Sequence, residues 1–560
     1  MLPRSHPDCR DLADCRGNAR HQCLTSRQRR GQPPVSAEPA PPGKGKGAGK
    51  GEETPQGKEF VNRFGLPTAT ALVVGSIIGT GVFALPSALA PYGPSSLLAF
   101  VLVTIGALAL ALVFGWLNKR VPGSGGPYLY ARDAFGDFGG FITAWSYWLT
   151  AWIGNAAIVV AWVGYVEVFV NKGGSIWGSV AIALVGLWIP ALINISGVRN
   201  LGGFQVVTVI LKFIPLLFMA TVGLFFIKVH NFGSFNPSHL SLTGAISAAA
   251  AIALFSYLGL ETASVAAGRV RSPGRNVSRA TVFGTLACAF IYLFGTLTVF
   301  GTVAHNKLIS STAPFSDSAN AIFGGSWAGK AMAVAAIISG IGCLNGWTLI
   351  CAEMPMAAAK DRLFPAQFAR LSRREIPVFG ILAATVLASG LTVFGYTHFK
   401  TVFTDVVLLS VLTAVIPYLY SAGAHLYWLT VRGKTVSWPH LIRDVAVTVV
   451  ALVFSFWALA GTGYQAVYYG ILAFFLGIPV YIWMKAQRRE YGESPVTPIV
   501  YPAGSPYSAA VPGGTAGNGH GAGNGHGAGH GHKASGNGHE AAAITATATG
   551  QQAGDPREQS

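Results

Sequence analysis

The sequence predicts an all-α polytopic membrane protein with twelve transmembrane helices, built as a five-plus-five inverted repeat with two further helices at its end. Three observations carry this expectation: the composition, a set of twelve apolar runs, and interruptions in the first and sixth of them. Hydrophobic residues make up 51% of the 560-residue chain and charged residues only 11%, with a mean hydropathy of +0.47. A soluble domain carries roughly a quarter charged residues.

Crossing ~30 Å of hydrocarbon takes about 20 predominantly apolar residues in a helix. Runs of that kind lie near 68–91, 95–117, 138–170, 175–195, 203–227, 242–266, 278–303, 328–355, 377–396, 403–428, 442–461 and 465–485. The first contains ALVVGSIIGTGVFALPSALAPYG, with Gly75, Gly79, Thr80 and Gly81 near its middle. The sixth, GAISAAAAIALFSYLGLETASVAAG, is interrupted at Ser256, Gly259 and Glu261. Each unpaired backbone N–H or C=O facing lipid costs several kcal/mol, so non-helical backbone survives at that depth only where it is buried in protein or lines a cavity. Interrupted helices at matching positions of two halves point to an inverted repeat whose breaks flank a binding site. The halves are then about 66–228 and 242–428, and the last two helices lie within about 442–485. A close helix-packing face is the alternative for Gly75 and Gly79; it leaves Thr80, Gly81 and Glu261 without a reason.

The remaining charges sort by side. Lys119, Arg120, Arg132, Arg199, Arg269, Arg271, Arg275, Arg279, Lys360, Arg362, Arg370, Arg373, Arg374, Arg432, Lys434 and Arg443 fall between runs on one side, against Lys172, Lys228, Lys307, Lys330 and Lys400 on the other. The positive-inside rule makes the crowded side cytoplasmic and, with an even number of spans, places both termini there, in the cell membrane. The net charge of +17 is thus mostly topology. A nucleic-acid partner would need a basic soluble domain, and the runs leave no room for one. Residues 1–60 are polar, basic and rich in Pro and Gly, and 491–560 include a Gly/His repeat; both read as tails too poor in apolar residues to fold alone, flanking a membrane domain over 61–490. The first tail has no apolar core of a signal peptide, so the first span is expected to direct insertion. The His residues of the second could hold Zn²⁺ or Ni²⁺ weakly, though a solvated tail is the simpler reading, and no metal or cofactor is expected. Cys9, Cys15 and Cys23 in the first tail and Cys288, Cys343 and Cys351 in separate apolar stretches make no disulfide framework.

Two ionisable residues stand inside apolar runs. Glu261 lies in the second interruption; an unpaired carboxylate there costs at least ~2.5–3.5 kcal/mol, so it is either functional or a permanently hydrogen-bonded structural group. Lys212, in VVTVILKFIPLLF, is too deep to reach either interface and must be paired, neutral or facing a site.

The segments GSIIGTGVF, SGGPYLYARDAFG, YWLTAWIGNAAIVV, FSYLGLETASVAAGRVRSPGRNVSRAT, APFSDSA, GWTLICAEMPMAAAKDRLFP and IPYLYSAGA resemble, in order and spacing, the amino acid–polyamine–organocation transporters, and among them the bacterial arginine/agmatine antiporter branch. The likeness covers roughly residues 62–490 and implies the LeuT-like fold. It implies that an amino acid's carboxylate meets the Thr80 hydroxyl and the Gly81 N–H, at a helix N-terminus that offers free donors and a partial positive charge. Its ammonium would meet carbonyls of Ile77, Phe255 and Leu258. The side-chain end of the pocket would be lined by Asn155, Trp347, Ser410 and the backbone near Thr150 and Ala151. Trp347 could stack on a cationic group or simply pack, and Asn155 could instead tie two helices together. Glu261 would form an inward gate with Tyr147 and Tyr418, taking up and releasing a proton. The sequence departs from the branch in having Phe255 at a gate position usually occupied by Trp, and Ile158 at a Met position. The branch is apolar at Lys212, whereas other members of the superfamily resemble this chain in placing a lysine there, where sodium-coupled relatives hold an ion.

The resulting expectation is a secondary active transporter, independent of sodium, that exchanges or imports cationic amino acids or related amines by alternating access. A proton-coupled symporter of broader specificity is the alternative. A membrane-embedded enzyme or sensor is the reading from another class, and it lacks a catalytic constellation at one depth: His305 and His398 lie in outer loops and His425 stands alone in the tenth run. No nucleotide-binding motif supports ATP-driven pumping. The expected partners are the substrate, the lipid bilayer and, by the resemblance, a second copy in a homodimer.

Overall fold

The computed structural model describes residues 65–488 apart from 122, 124, 198–200, 268–269, 400 and 432–437. The two expected tails, with Cys9, Cys15 and Cys23, and the loop cations Arg199, Arg269, Lys400, Arg432 and Lys434 lie outside them. The described residues are helical almost throughout. The first apolar run forms α1 (Leu66–Ile77) and α2 (Thr80–Leu89), whose axes bend by 40° at the intervening pair Ile78 and Gly79. Then come α3 (Ser95–Arg120), α4 (Pro127–Val166), α5 (Ile176–Ser196) and α6 (Leu201–Thr221). The sixth run gives α7 (Leu242–Phe255), a stretch of tight turns, and the short α8 (Thr262–Val265).

After it follow α9 (Pro273–Thr302), two short helices α10 (His305–Ile309) and α11 (Pro314–Phe323), and the long α12 (Trp327–Lys360). Next are α13 (Val378–His398), α14 (Val402–Val431) and α15 (Trp438–Ala460), and last α16 (Gly463–Phe475) with α17 (Gly477–Gln487). Among the described residues, 10 helices are long and apolar enough to cross a membrane, and α1 with α2 make an eleventh as a broken pair. At 14 residues α7 is too short to count by itself.

The stretch Pro127–Val166 is two helices meeting at a kink at Gly136, so the third apolar run, expected near 138, begins just after that kink, and the segment before it carries Arg132, which pairs with Asp137 just past the kink. Arg132 bridges Asp137 at 2.9 Å and Asp361 at 2.6 Å, Arg488 reaches Asp137 at 3.1 Å, and Tyr128 donates to Asp361 at 2.6 Å. Gly136, at φ +75°, lets the chain kink there without a side-chain clash. The segment APFSDSA opens α11, with Ser311 donating to Asp317 in its first turn.

Burial separates a central frame from a lipid-facing rim. The most apolar window of α4 is 83% buried, against 17% for the stretch holding α16 and α17, whose Ile471, Leu472, Phe475 and Leu476 project outward. In lipid such a surface carries no hydrophobic penalty, so small residues and hydrogen bonds must hold helices together. Gly106 admits the Phe454 ring between α3 and α15, and Gly470 admits Leu412 between α16 and α14. Side chains already touch where a Cβ would sit at either glycine, so both helix pairs approach closely.

Candidate functional site

The break between α1 and α2 leaves the carbonyls of residues 75–78 without their usual helical donors, and each finds another. Lys212 Nζ donates to Gly75 O at 2.7 Å and also to Ile78 O. Trp347 Nε1 donates to Ser76 O at 3.0 Å, with the Cys343 thiol at 3.7 Å from the same oxygen, and Gly79 N closes on Ile77 O at 3.0 Å. Buried backbone polar groups must be paired in this way, so the break is held by side chains of α6 and α12. Lys212, 0% exposed, is thereby satisfied by carbonyl oxygens.

The second break is a ladder of tight turns: Ser256 N to Ala253 O, Tyr257 N to Leu254 O, Leu258 N to Phe255 O and Thr262 N to Gly259 O. Gly259 has φ +105°, and a Cβ there would lie 3.1 Å from the backbone carbon of Ser76. Only a glycine accepts both the dihedral and the contact. The two breaks therefore touch, Gly259 against Ser76.

Between them lies a small cavity of about 20 Å³, lined by Ser76, Ile77, Gly79, Gly81, Val82, Thr150, Gly154, Ile158, Phe255, Ser256, Leu258, Cys343 and Trp347. Gly79 and Gly81 bring the α2 N-terminus close to its neighbours: a Cβ on Gly79 would fall 2.6 Å from Cys343 Sγ, and one on Gly81 2.6 Å from Phe255 Cε1. The Phe255 ring covers Gly81 and meets Phe403 of α14 edge-on, with centroids 6.2 Å apart. Of the residues singled out from the sequence, Ile77, Gly79, Gly81, Thr150, Ile158, Phe255, Ser256, Leu258 and Trp347 share this cavity.

The other sequence-derived residues stand one step back. The Thr80 hydroxyl, buried and without a hydrogen bond, faces α12, where a Cβ on Gly340 would come within 2.5 Å of it. Ser410 Oγ donates to Thr150 O at 3.2 Å, in a network in which Thr150 meets Thr413 at 3.0 Å. Asn155 Nδ2 donates to Cys351 Sγ at 3.4 Å, joining α4 to α12, while its Oδ1 has no hydrogen-bond partner.

Beyond the second break, Tyr418 of α14 donates to Glu261 Oε2 at 2.9 Å, and Tyr147 of α4 lies beside the same carboxylate without a hydrogen bond of good geometry. All three are at most 1% exposed. The triad draws on three separate elements and sits on the far side of the break from Phe255.

The sequence reading missed Ser76, Val82, Gly154 and Cys343 as cavity residues. Cys343 carried a usable signal, since it stands four residues before Trp347 and i, i+4 side chains share one face of a helix. Ser76 gave none, because it contributes a main-chain carbonyl. Among the described residues no group of three or more His, Cys, Asp or Glu could hold a metal ion.

Residues 64–501 match the amino acid permease family. A provisional arginine/ornithine antiporter of Bacillus subtilis (strain 168) is 33% identical over 475 residues, spanning 77% of this chain and 99% of the relative. The putrescine transporter PotE of Escherichia coli (strain K12) is 32% identical over 434 residues, 75% of this chain and 95% of its own. The arginine/agmatine antiporter of Chlamydia pneumoniae is 27% identical over 440 residues, 75% of this chain and 89% of its own. A family of transporters excludes the reading as a membrane-embedded enzyme. With the match covering most of its length, and with two touching helix breaks around a buried cavity, the chain belongs to the amino acid permease family.

Proposed function

We propose that this protein is a sodium-independent antiporter of cationic amino acids and the amines related to them, working by alternating access. The observation that carries the reading is the pair of breaks meeting at Ser76 and Gly259 beside a cavity lined by an indole, Trp347. The N-terminus of α2, where Gly79, Gly81 and Val82 line the cavity, offers donors to a carboxylate. Carbonyls around Ile77 and Leu258 offer acceptors to an ammonium, and the Trp347 face suits a cationic side chain. The names of the relatives, antiporters of arginine with ornithine or agmatine and a putrescine transporter, support the same substrate class.

In this reading α7 with the turns leading into α8 is the sixth span and α16 with α17 the twelfth, giving two five-span halves of opposite orientation and a final pair. The cation-rich loops, with Lys119, Arg120, Lys360 and Arg362, face the cytoplasm, so both termini do too. Phe255 then closes the outer path over Gly81, and Glu261 with Tyr147 and Tyr418 closes the inner one. The ammonium of Lys212 takes the place of a coupling cation by binding the carbonyls of Gly75 and Ile78. The Thr80 hydroxyl, Asn155 and Ser410 shape the substrate site from behind.

Counterflow in proteoliposomes tests the proposal. Vesicles loaded with unlabelled arginine or putrescine should accumulate external labelled substrate with no ion gradient imposed, and empty vesicles should not. Uptake into empty vesicles driven by a pH gradient would favour proton-coupled symport instead.

A further inference from the structure

A second cavity, sharing no residue with the first, lies between the start of α14 and the turn that joins α15 to α16. Its volume is about 270 Å³, and its walls include Phe399, Asp405, Leu409, Tyr464, Gln465 and Tyr469. Two of the wall tyrosines contact the exposed Tyr468 beside the cavity: Tyr464 lies at 6.3 Å with planes 22° apart, and Tyr469 meets it edge-on at 5.5 Å. Asp405 is the acid of this group, in the first turn of α14. Its Oδ2 accepts from Thr401 N at 3.3 Å and Thr401 Oγ1 at 3.2 Å, as a helix-capping group would. Its Oδ1 has no hydrogen bond among the described residues.

A carboxylate with a spare oxygen among aromatic faces is a site for a cation of a particular kind. The negative π-faces and the carboxylate both attract an ammonium, while Leu409 and the ring edges accept a methylene chain. A hydrated metal ion would leave the aromatic walls unused, an anion would meet the Asp405 charge, and an acyl chain would strip water from that carboxylate without pairing it. We propose that this cavity binds a primary alkylammonium, carried either by a free diamine or cationic amino acid or by an ethanolamine lipid headgroup. The free carrier rests on the proposed function; the carboxylate and aromatic chemistry of the cavity does not. Phe403, which meets the Phe255 ring, is two residues from Asp405 in the first turn of α14, so the two cavities are linked through this one helix.

The test uses the full chain in phosphatidylcholine nanodiscs and equilibrium binding of labelled putrescine. Two sites per chain are expected. Asp405→Asn, which keeps the capping oxygen and removes the charge, should weaken one of them at least about tenfold, as loss of a charge-assisted hydrogen bond does. Gln465→Lys, which places a tethered ammonium in the cavity, should abolish that same site. Gly81→Trp, which forces a side chain against Phe255 at the central cavity, should remove the other site and spare this one. If discs containing phosphatidylethanolamine lose the Asp405-dependent site, the headgroup is its carrier; if they keep it, the free amine is. A single site in wild type that Gly81→Trp removes, with no effect of Asp405→Asn, Gln465→Lys or ethanolamine lipid, overturns this inference and leaves the proposed function standing. An Asp405-dependent site without a Gly81-dependent one supports the inference and overturns the proposed function.

Discussion

Gly259 rests directly on the backbone of Ser76, so close that a Cβ would lie 3.1 Å from the Ser76 carbon and 3.2 Å from its oxygen. This contact joins the two helix breaks beside the central cavity, which Ser76 lines. Gly259→Ala would add a Cβ to a φ of +105° and press it into main chain that cannot swing away. Strain of this kind costs roughly 1–3 kcal/mol. The variant should melt several degrees lower in detergent and lose substrate binding. Gly390→Ala is the control, since a Cβ there meets nothing within 4 Å. Equal melting temperatures for the two variants would show that the breaks do not depend on this contact.

Lys212 donates to Gly75 and Ile78 on either side of the first break. Wild-type transport should be the same in Na⁺, K⁺ and choline, because the ammonium already occupies the carbonyls a coupling ion would need. Lys212→Ala removes both donors and should cut exchange severely. If its pH dependence vanishes as well, Lys212 carries the coupled proton; if the rate falls with an unchanged pH profile, the lysine is a fixed brace. A requirement for Na⁺ in wild type would defeat both versions.

Glu261 is tied to Tyr418 at 2.9 Å with Tyr147 beside it. Glu261→Gln keeps the shape and removes the titration, so substrate binding should survive while the pH profile of exchange flattens. Tyr418→Phe should instead keep the pH dependence and change the rate, since it deletes one hydrogen bond and leaves the acid. An unaltered pH profile in Glu261→Gln would make the carboxylate structural.

Trp347 has two roles that substitutions can separate. Its Nε1 supports Ser76 O, and its ring lines the cavity. Trp347→Ala should weaken arginine or putrescine by roughly 0.5–2 kcal/mol and leave alanine or glycine less affected. Trp347→Phe keeps a weaker π-face but loses the donor, so any loss common to all substrates measures the Ser76 hydrogen bond. Isothermal titration of the two variants with cationic and neutral ligands reads the difference.

What was legible in the sequence followed from rules that act over a single helix length. The apolar runs, the cations between them and the glycines of the first run predict a membrane protein with broken helices, because hydrocarbon thickness and the cost of unpaired backbone operate locally. Gly79, Gly81 and Gly259 could be read as breaks for that reason. Which groups repair those breaks could not, since Lys212, Trp347 and Cys343 come from 130 or more residues away in sequence and are aimed by the packing of α6 and α12 on α1. The same limit applies to Asn155 and Thr80: their residue types suit a binding site, but tertiary packing turns the Asn155 amide toward Cys351 and the Thr80 hydroxyl toward Gly340, behind the cavity wall. The ion-paired start of α4 is the converse case. Arg132 and Asp137 read as loop residues, and only the tertiary structure brings Asp361 and Arg488, from the ends of two other helices, to pair with them around the kink at Gly136.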